Sequence, residues 1–218
     1  MKKLVFTGTA FILLAMFQWN VFAGNNEVSA IKNRTETLMN DRPQGYPVAT
    51  LAGGCFWCVE SVFRGIEGIL HTRVGYTGGD LQNPSYRQIT TGQTGHAEAV
   101  EITYDPEKLD YKSLLEIFFR QAHDPTQLNR QGVDVGPQYR SAIFVHNDKQ
   151  RTIAQNMIAD FNAEKSFGKP VVTKVNNAEK FWPAENYHQQ YYEKYEEETG
   201  KTHIRYLMKH KSKEKVSQ

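Results

Sequence analysis

From residue 47 onward the apolar positions follow two repeats, a period of two that marks strands and a spacing of three and four that marks helices. A strand is expected at 48–52, running into Gly53-Gly54. Helical spacing follows from Cys55 to about Arg64, and Gly65 and Gly68 end it. A second strand at 69–76 stops at Gly78-Gly79, and a third at 97–104 closes on Asp105-Pro106. Leu114, Leu115, Phe118 and Phe119 mark one helix face, and Ile153, Met157, Ile158 and Phe161 mark another. Between them, residues 141–145 are nearly all apolar, as in a central strand covered on both faces, and 171–175 read as one more strand. The alternation of strand and helix predicts an α/β or split βαβ domain, a sheet covered by helices. Residues 124–138, rich in Asn, Gly and Pro, form a long loop of the kind that carries function.

The start of the chain has a different grammar. Lys2 and Lys3 precede an apolar run over residues 4–17, and Val21-Phe22-Ala23 ends in a small residue. This is the pattern of a secretory signal cleaved near Ala23, and the run is short for a membrane span. The expected organisation is a signal at 1–23, a flexible leader at 24–45, one catalytic domain at 46–200 and a solvated, slightly basic tail at 201–218. Export to the periplasm or the outside of the cell follows.

Composition narrows the function only a little. With 218 residues, 39% hydrophobic and 12% aromatic, the chain can bury a core. Losing Lys2 and Lys3 with the signal takes the formal charge from +2 to zero, so nothing favours nucleic acid or an anionic membrane.

The chemistry gathers at the two cysteines, Cys55 and Cys58. A bridge across so short a loop removes little unfolded-state entropy, which argues against a structural staple. Cys55 follows two glycines at a strand-to-helix turn, where a helix N-terminus favours a thiolate. Cys58, three residues on, shares its face. By spacing alone, redox chemistry stands level with a buried pair or half a metal site.

Alternation places Glu98 with Val100 and Ile102 on the apolar side of its strand, with Glu101 and Thr103 opposite. A carboxyl there is expected to be neutral and able to donate a proton, unless it is simply ion-paired. Tyr86 and Tyr139 lie in glycine-rich loops, two of eleven tyrosines. His96, His123 and His188 show no metal-ligand spacing and read as structural or pocket-lining. Residues 181–192 read as a packed helix edge.

Several blocks in order resemble the A-type peptide-methionine sulfoxide reductases. They are Gly54-Cys55-Phe56-Trp57 with Glu60, Gly75-Tyr76-Thr77-Gly78-Gly79, Asn83-Pro84-Ser85-Tyr86 and Thr94-Gly95-His96-Ala97-Glu98. Gly136-Pro137-Gln138-Tyr139-Arg140-Ser141 and the run from Pro183 to Tyr191 complete the set, and the similarity spans residues 47–196.

The resemblance implies a ferredoxin-like plait and reduction of methionine S-sulfoxide, free or in oxidised proteins. It implies Cys55 as nucleophile, Glu98 as acid, Tyr86 and Tyr139 on the sulfoxide oxygen, and Asp134 ordering the loop. Phe56 and Trp57 would wall the substrate methyl group. Many members resolve the sulfenic acid with cysteines in a C-terminal tail, and many have glycine at position 58. This chain has no cysteine beyond Cys58, so Cys58 is expected to form a disulfide with Cys55 for a thioredoxin-like reductant. No metal, nucleotide or flavin is implied, and the enzyme is expected to act as a monomer. A general disulfide oxidoreductase and a zinc- or thiol-binding module are the competing readings.

Overall fold

Strands β1 (Val48–Gly53), β2 (Ile69–Thr77), β3 (Ala97–Tyr104), β6 (Ser141–Val145), β7 (Lys174–Asn177) and β8 (Trp182–Pro183) form a six-stranded sheet in the order β7-β6-β1-β3-β2-β8, with β1 and β3 in the middle. The structure, a computed structural model, describes residues 42–202. The signal segment, the leader up to residue 41 and the tail from residue 203 lie outside the described residues.

β1 leads into α1 (Phe56–Phe63) and β2 (Ile69–Thr77). A short helix, α2 (Tyr86–Ile89), precedes β3, and α3 (Tyr111–Ile117) follows it. A small hairpin, β4 (Arg130–Gln131) with β5 (Asp134–Val135), then leads to β6 (Ser141–Val145). β3 lies antiparallel between β1 and β2, and β1 lies antiparallel between β3 and β6. The first unit is therefore a βαβ split by β3, and the second, β3-α3-β6, is split by β1, which is the ferredoxin-like arrangement. Helix α4 (Asp148–Ala163) crosses to β7 (Lys174–Asn177), parallel to β6, which makes the sheet mixed. β8 (Trp182–Pro183) closes the other edge on β2, and α5 (Tyr191–Thr199) ends the described chain.

The period-two pattern explains the layers. Ala49 and Leu51, Val74 and Tyr76, Val100 and Ile102, and Ile143 and Val145 face one side and meet α1, α3 and α4 in the main core. The opposite face is built of small residues, Ala52, Ala97, Ala99 and Ala142, with Phe144 under Phe181. Glu101 lies on that face, as alternation required, yet it too is buried, paired with Arg73 at 2.7 Å. Phe181 covers the Arg73 guanidinium at 5.3 Å.

Two segments differ from the sequence pattern. The strand expected at 171–175 begins only at Lys174, because Val171 and Val172 N–H groups donate to Asn162 Oδ1 and Pro125 O. Residues 181–192 are not a helix edge but a short strand, a 3-10 turn (Asn186–His188) and the start of α5.

Candidate active site

Cys55 sits where β1 hands over to α1. Gly54 makes the turn at φ +97°, and a Cβ there would lie 2.6 Å from the Gln131 side chain, so only glycine fits between turn and hairpin. Cys55 is the N-cap of α1, and its carbonyl accepts from the Cys58 and Val59 N–H groups. Its sulfur therefore lies at the helix start, as expected from the sequence.

The helix start does not serve the sulfur alone. The Phe56 N–H donates to Glu98 Oε2 at 3.1 Å, so a carboxyl from β3 takes the donor next to Cys55. The Cys55 thiol is hydrogen-bonded to the Cys58 side chain, and this bond, burial and the nearby Glu98 charge hold its pKa well above the ordinary thiol value. Burial and the Cys58 bond thus oppose the stabilisation of a thiolate that the helix start offers.

Glu98 is buried on the apolar row predicted for it, opposite Tyr76 in the sheet. Tyr86 and Tyr139 are half-buried, and both phenols are pushed up in pKa by burial first and by the Glu98 charge next, Tyr86 to about 12. The charges of Cys55 and Asp134 act on both in the same direction. Two tyrosines far apart in sequence thus converge with Glu98, Cys55 and Asp134, and both remain hydrogen-bond donors across the physiological range.

Phe56 is 1% exposed and lies 5.9 Å from Tyr76 and 5.1 Å from the His188 ring. Trp57 is half-buried. Its indole N–H donates to His188 Nδ1 at 3.1 Å, and its ring stacks on Tyr191 at 3.7 Å and 7°. Burial lowers the His188 pKa to about 4, so the ring is neutral and can accept that bond. Cys58 Sγ lies 3.1 Å from the Tyr192 hydroxyl.

The segment after Pro183 thus carries more of the site than its sequence suggested. Glu185 accepts from the Tyr76 hydroxyl and the Tyr86 N–H, tying β2 to α2. Gln189 bonds both backbone groups of Val74, and Glu60 accepts from the Gln190 N–H at 2.9 Å. These residues have no period to read; the sequence marks their block by resemblance, and the fold shows what each one holds. His96 bonds Leu81 O, and His123 bonds Ser141 and Phe118 O, both structural as expected. Among the described residues no group of three His, Cys, Asp or Glu side chains could hold a metal ion.

A family model described as peptide methionine sulfoxide reductase matches residues 47–218. A peptide methionine sulfoxide reductase MsrA 1 from Rhodopirellula baltica is 55% identical over 148 residues, 68% of this chain and 76% of that protein. One from Acidobacterium capsulatum is 53% identical over 67% of this chain and 93% of its own length. Among solved structures, methionine sulfoxide reductase A of Corynebacterium diphtheriae aligns with a TM-score of 0.61 at 35% identity, covering 70% of this chain and 76% of that one. Reduced Mxr1 from Saccharomyces cerevisiae aligns at 0.64 and 33% identity, covering 70% and 87%.

Proposed function

Because the chain belongs to the peptide methionine sulfoxide reductase family and reduces methionine sulfoxide to methionine, we propose that Cys55 is the sulfur that takes up the oxygen. Cys55 Sγ attacks the sulfoxide sulfur of the S epimer, and the S–O bond of the substrate breaks. Glu98 gives a proton to the departing oxygen, which Tyr86 and Tyr139 hold by hydrogen bonds. The Cys55 thiol proton and the one from Glu98 turn that oxygen into water, leaving Cys55 Sγ bonded to the substrate sulfur. The water then attacks Cys55 Sγ, the bond between the two sulfurs breaks and a proton returns to Glu98. This gives methionine and a Cys55 sulfenic acid, so one sulfur gains two electrons and the other loses two. Phe56 and Trp57 form the apolar wall for the methyl group, and Asp134 orders the loop that carries Tyr139.

The observation that carries this reading is the bond from the Phe56 N–H to Glu98 Oε2, which anchors a carboxyl one residue from Cys55.

Cys58 then resolves the sulfenic acid as a Cys55–Cys58 disulfide, which a thioredoxin-like dithiol protein reduces. The two side chains already touch. Residues 1–23 have the composition of an export signal, which supports a reading in which the enzyme and its reductant act outside the cytosol.

The test is turnover of a dabsyl-labelled methionine sulfoxide by the mature protein with dithiothreitol. Activity on the S epimer, none on the R epimer and none in Cys55→Ser is expected. Equal turnover of both epimers, or turnover surviving in Cys55→Ser, overturns the assignment.

A further inference from the structure

We propose that Tyr192 activates Cys58 for the second half of the cycle by donating its phenolic hydrogen to the sulfur that attacks the Cys55 sulfenic acid. The inference rests on the reading of Cys58 as the resolving thiol and adds a residue to it.

Tyr192 Oη lies 3.1 Å from Cys58 Sγ, close for a bond to sulfur, and the tyrosine is 6% exposed. A buried phenol carries a polar end that must find a partner, and this one meets a reacting atom. The Cys55 thiol bonds the same Cys58 side chain, so Cys58 stands between its target and the phenol.

The placement is held from both sides. Glu60 accepts from the Gln190 N–H at 2.9 Å, and Tyr191 stacks on Trp57 at 3.7 Å. Three consecutive residues, 190–192, are thus matched to Glu60, Trp57 and Cys58 of α1. Gln190 takes a left-handed φ of 52° to make the match. A merely space-filling side chain at 192 has no need of such fixing.

The chemistry follows from the order of acidities. A phenol keeps its proton where thiols ionise, so it donates to Cys58 as thiol and as thiolate, and the bond to the thiolate is the stronger. In the step itself, Cys58 Sγ forms a bond to Cys55 Sγ and the S–O bond of the sulfenic acid breaks. The proton of Cys58 leaves with the hydroxide as water. Cys58 is oxidised by one electron and the Cys55 sulfur is reduced by one, so no outside oxidant enters.

The experiment follows both steps of a single turnover. Reduced native protein, Tyr192→Phe and Cys58→Ser are each mixed with methionine S-sulfoxide without reductant. Methionine release reports the first step, and sulfenic acid trapped by dimedone against thiols lost reports the second, over a range of pH. For Tyr192→Phe we expect resolution slowed about tenfold or more, the effect of losing one charge-assisted hydrogen bond. The pH profile of resolution should also move upward, a change that packing alone does not produce, while methionine is still released. Native resolution rate and profile in Tyr192→Phe, with sulfenic acid persisting in Cys58→Ser, overturn the role of Tyr192 alone. Resolution as fast in Cys58→Ser as in native protein overturns the Cys58 reading and this inference with it.

Discussion

Glu98 and Phe56, forty-two residues apart, are joined by a bond from the Phe56 N–H to Glu98 Oε2 at 3.1 Å. The bond fastens a strand to the first turn of a helix and sets a carboxyl beside Cys55. It also takes a backbone donor that a Cys55 thiolate could otherwise have used.

Glu98→Gln separates these two roles. The amide oxygen still accepts from Phe56 N–H, so the fold should keep nearly its full stability. The proton donor is lost, and kcat should fall by about 10²–10⁴ with little change in KM. Steady-state kinetics beside a thermal melt checks both.

The Gly54 turn gives a second prediction. Alanine at φ +97° is strained, and its Cβ would strike Gln131 at 2.6 Å. Gly54→Ala should lose about 1–3 kcal/mol and most of the activity. Adding Gln131→Gly should restore part of the stability, because it removes the clash and leaves the strain. Denaturant unfolding of the three variants measures this.

These two cases indicate what the sequence could reveal. Alternation alone put Glu98 on the core face and Glu101 opposite, because a strand has only two sides. The strand at 141–145 was legible as an apolar run covered on both faces, those at 69–76 and 97–104 by their pattern and closing turns, and the turn before Cys55 by its two glycines. The strand expected at 171–175 was misjudged because side-chain and loop partners claim the Val171 and Val172 N–H groups, and such competition leaves no periodic trace. The block from Pro183 to Tyr191 was legible, but the roles of Glu185, Tyr191 and Tyr192 were not, because each meets its partner across the fold, in a segment without regular period. The upward push on the Cys55 pKa was not legible, because the bond to Cys58 and the depth of burial belong to packing.

A third prediction concerns pH. Burial raises the Glu60 pKa from 4.5 to about 7. The folded protein therefore holds this proton at pH values where the unfolded chain has released it. That contribution is complete below pH about 4.5 and is lost as pH rises through about 7. Glu60→Gln keeps a neutral side chain at every pH and should flatten the fall in stability over that window. Melting temperatures of the two proteins between pH 4 and 8 (roughly the span of the titration) test the sign.

The buried pair on the other face of the sheet gives the fourth. Arg73 and Glu101 lie 2.7 Å apart, both nearly enclosed. Arg73→Met alone leaves a buried carboxylate with its main partner gone and should cost about 3–5 kcal/mol. Arg73→Met with Glu101→Leu should recover most of that loss. A double-mutant cycle by chemical denaturation decides whether the pair or its separate charges set the stability.

The most direct test of the account uses Cys58→Ser, which cannot close the disulfide. The reduced variant is mixed with methionine S-sulfoxide in the absence of any other thiol, trapped with dimedone and mapped by peptide mass spectrometry. The account predicts methionine equal to the enzyme present, one dimedone adduct on the peptide carrying Cys55, and neither with the R epimer. Methionine formed without an adduct on Cys55, or no methionine from folded and fully reduced protein, would contradict it.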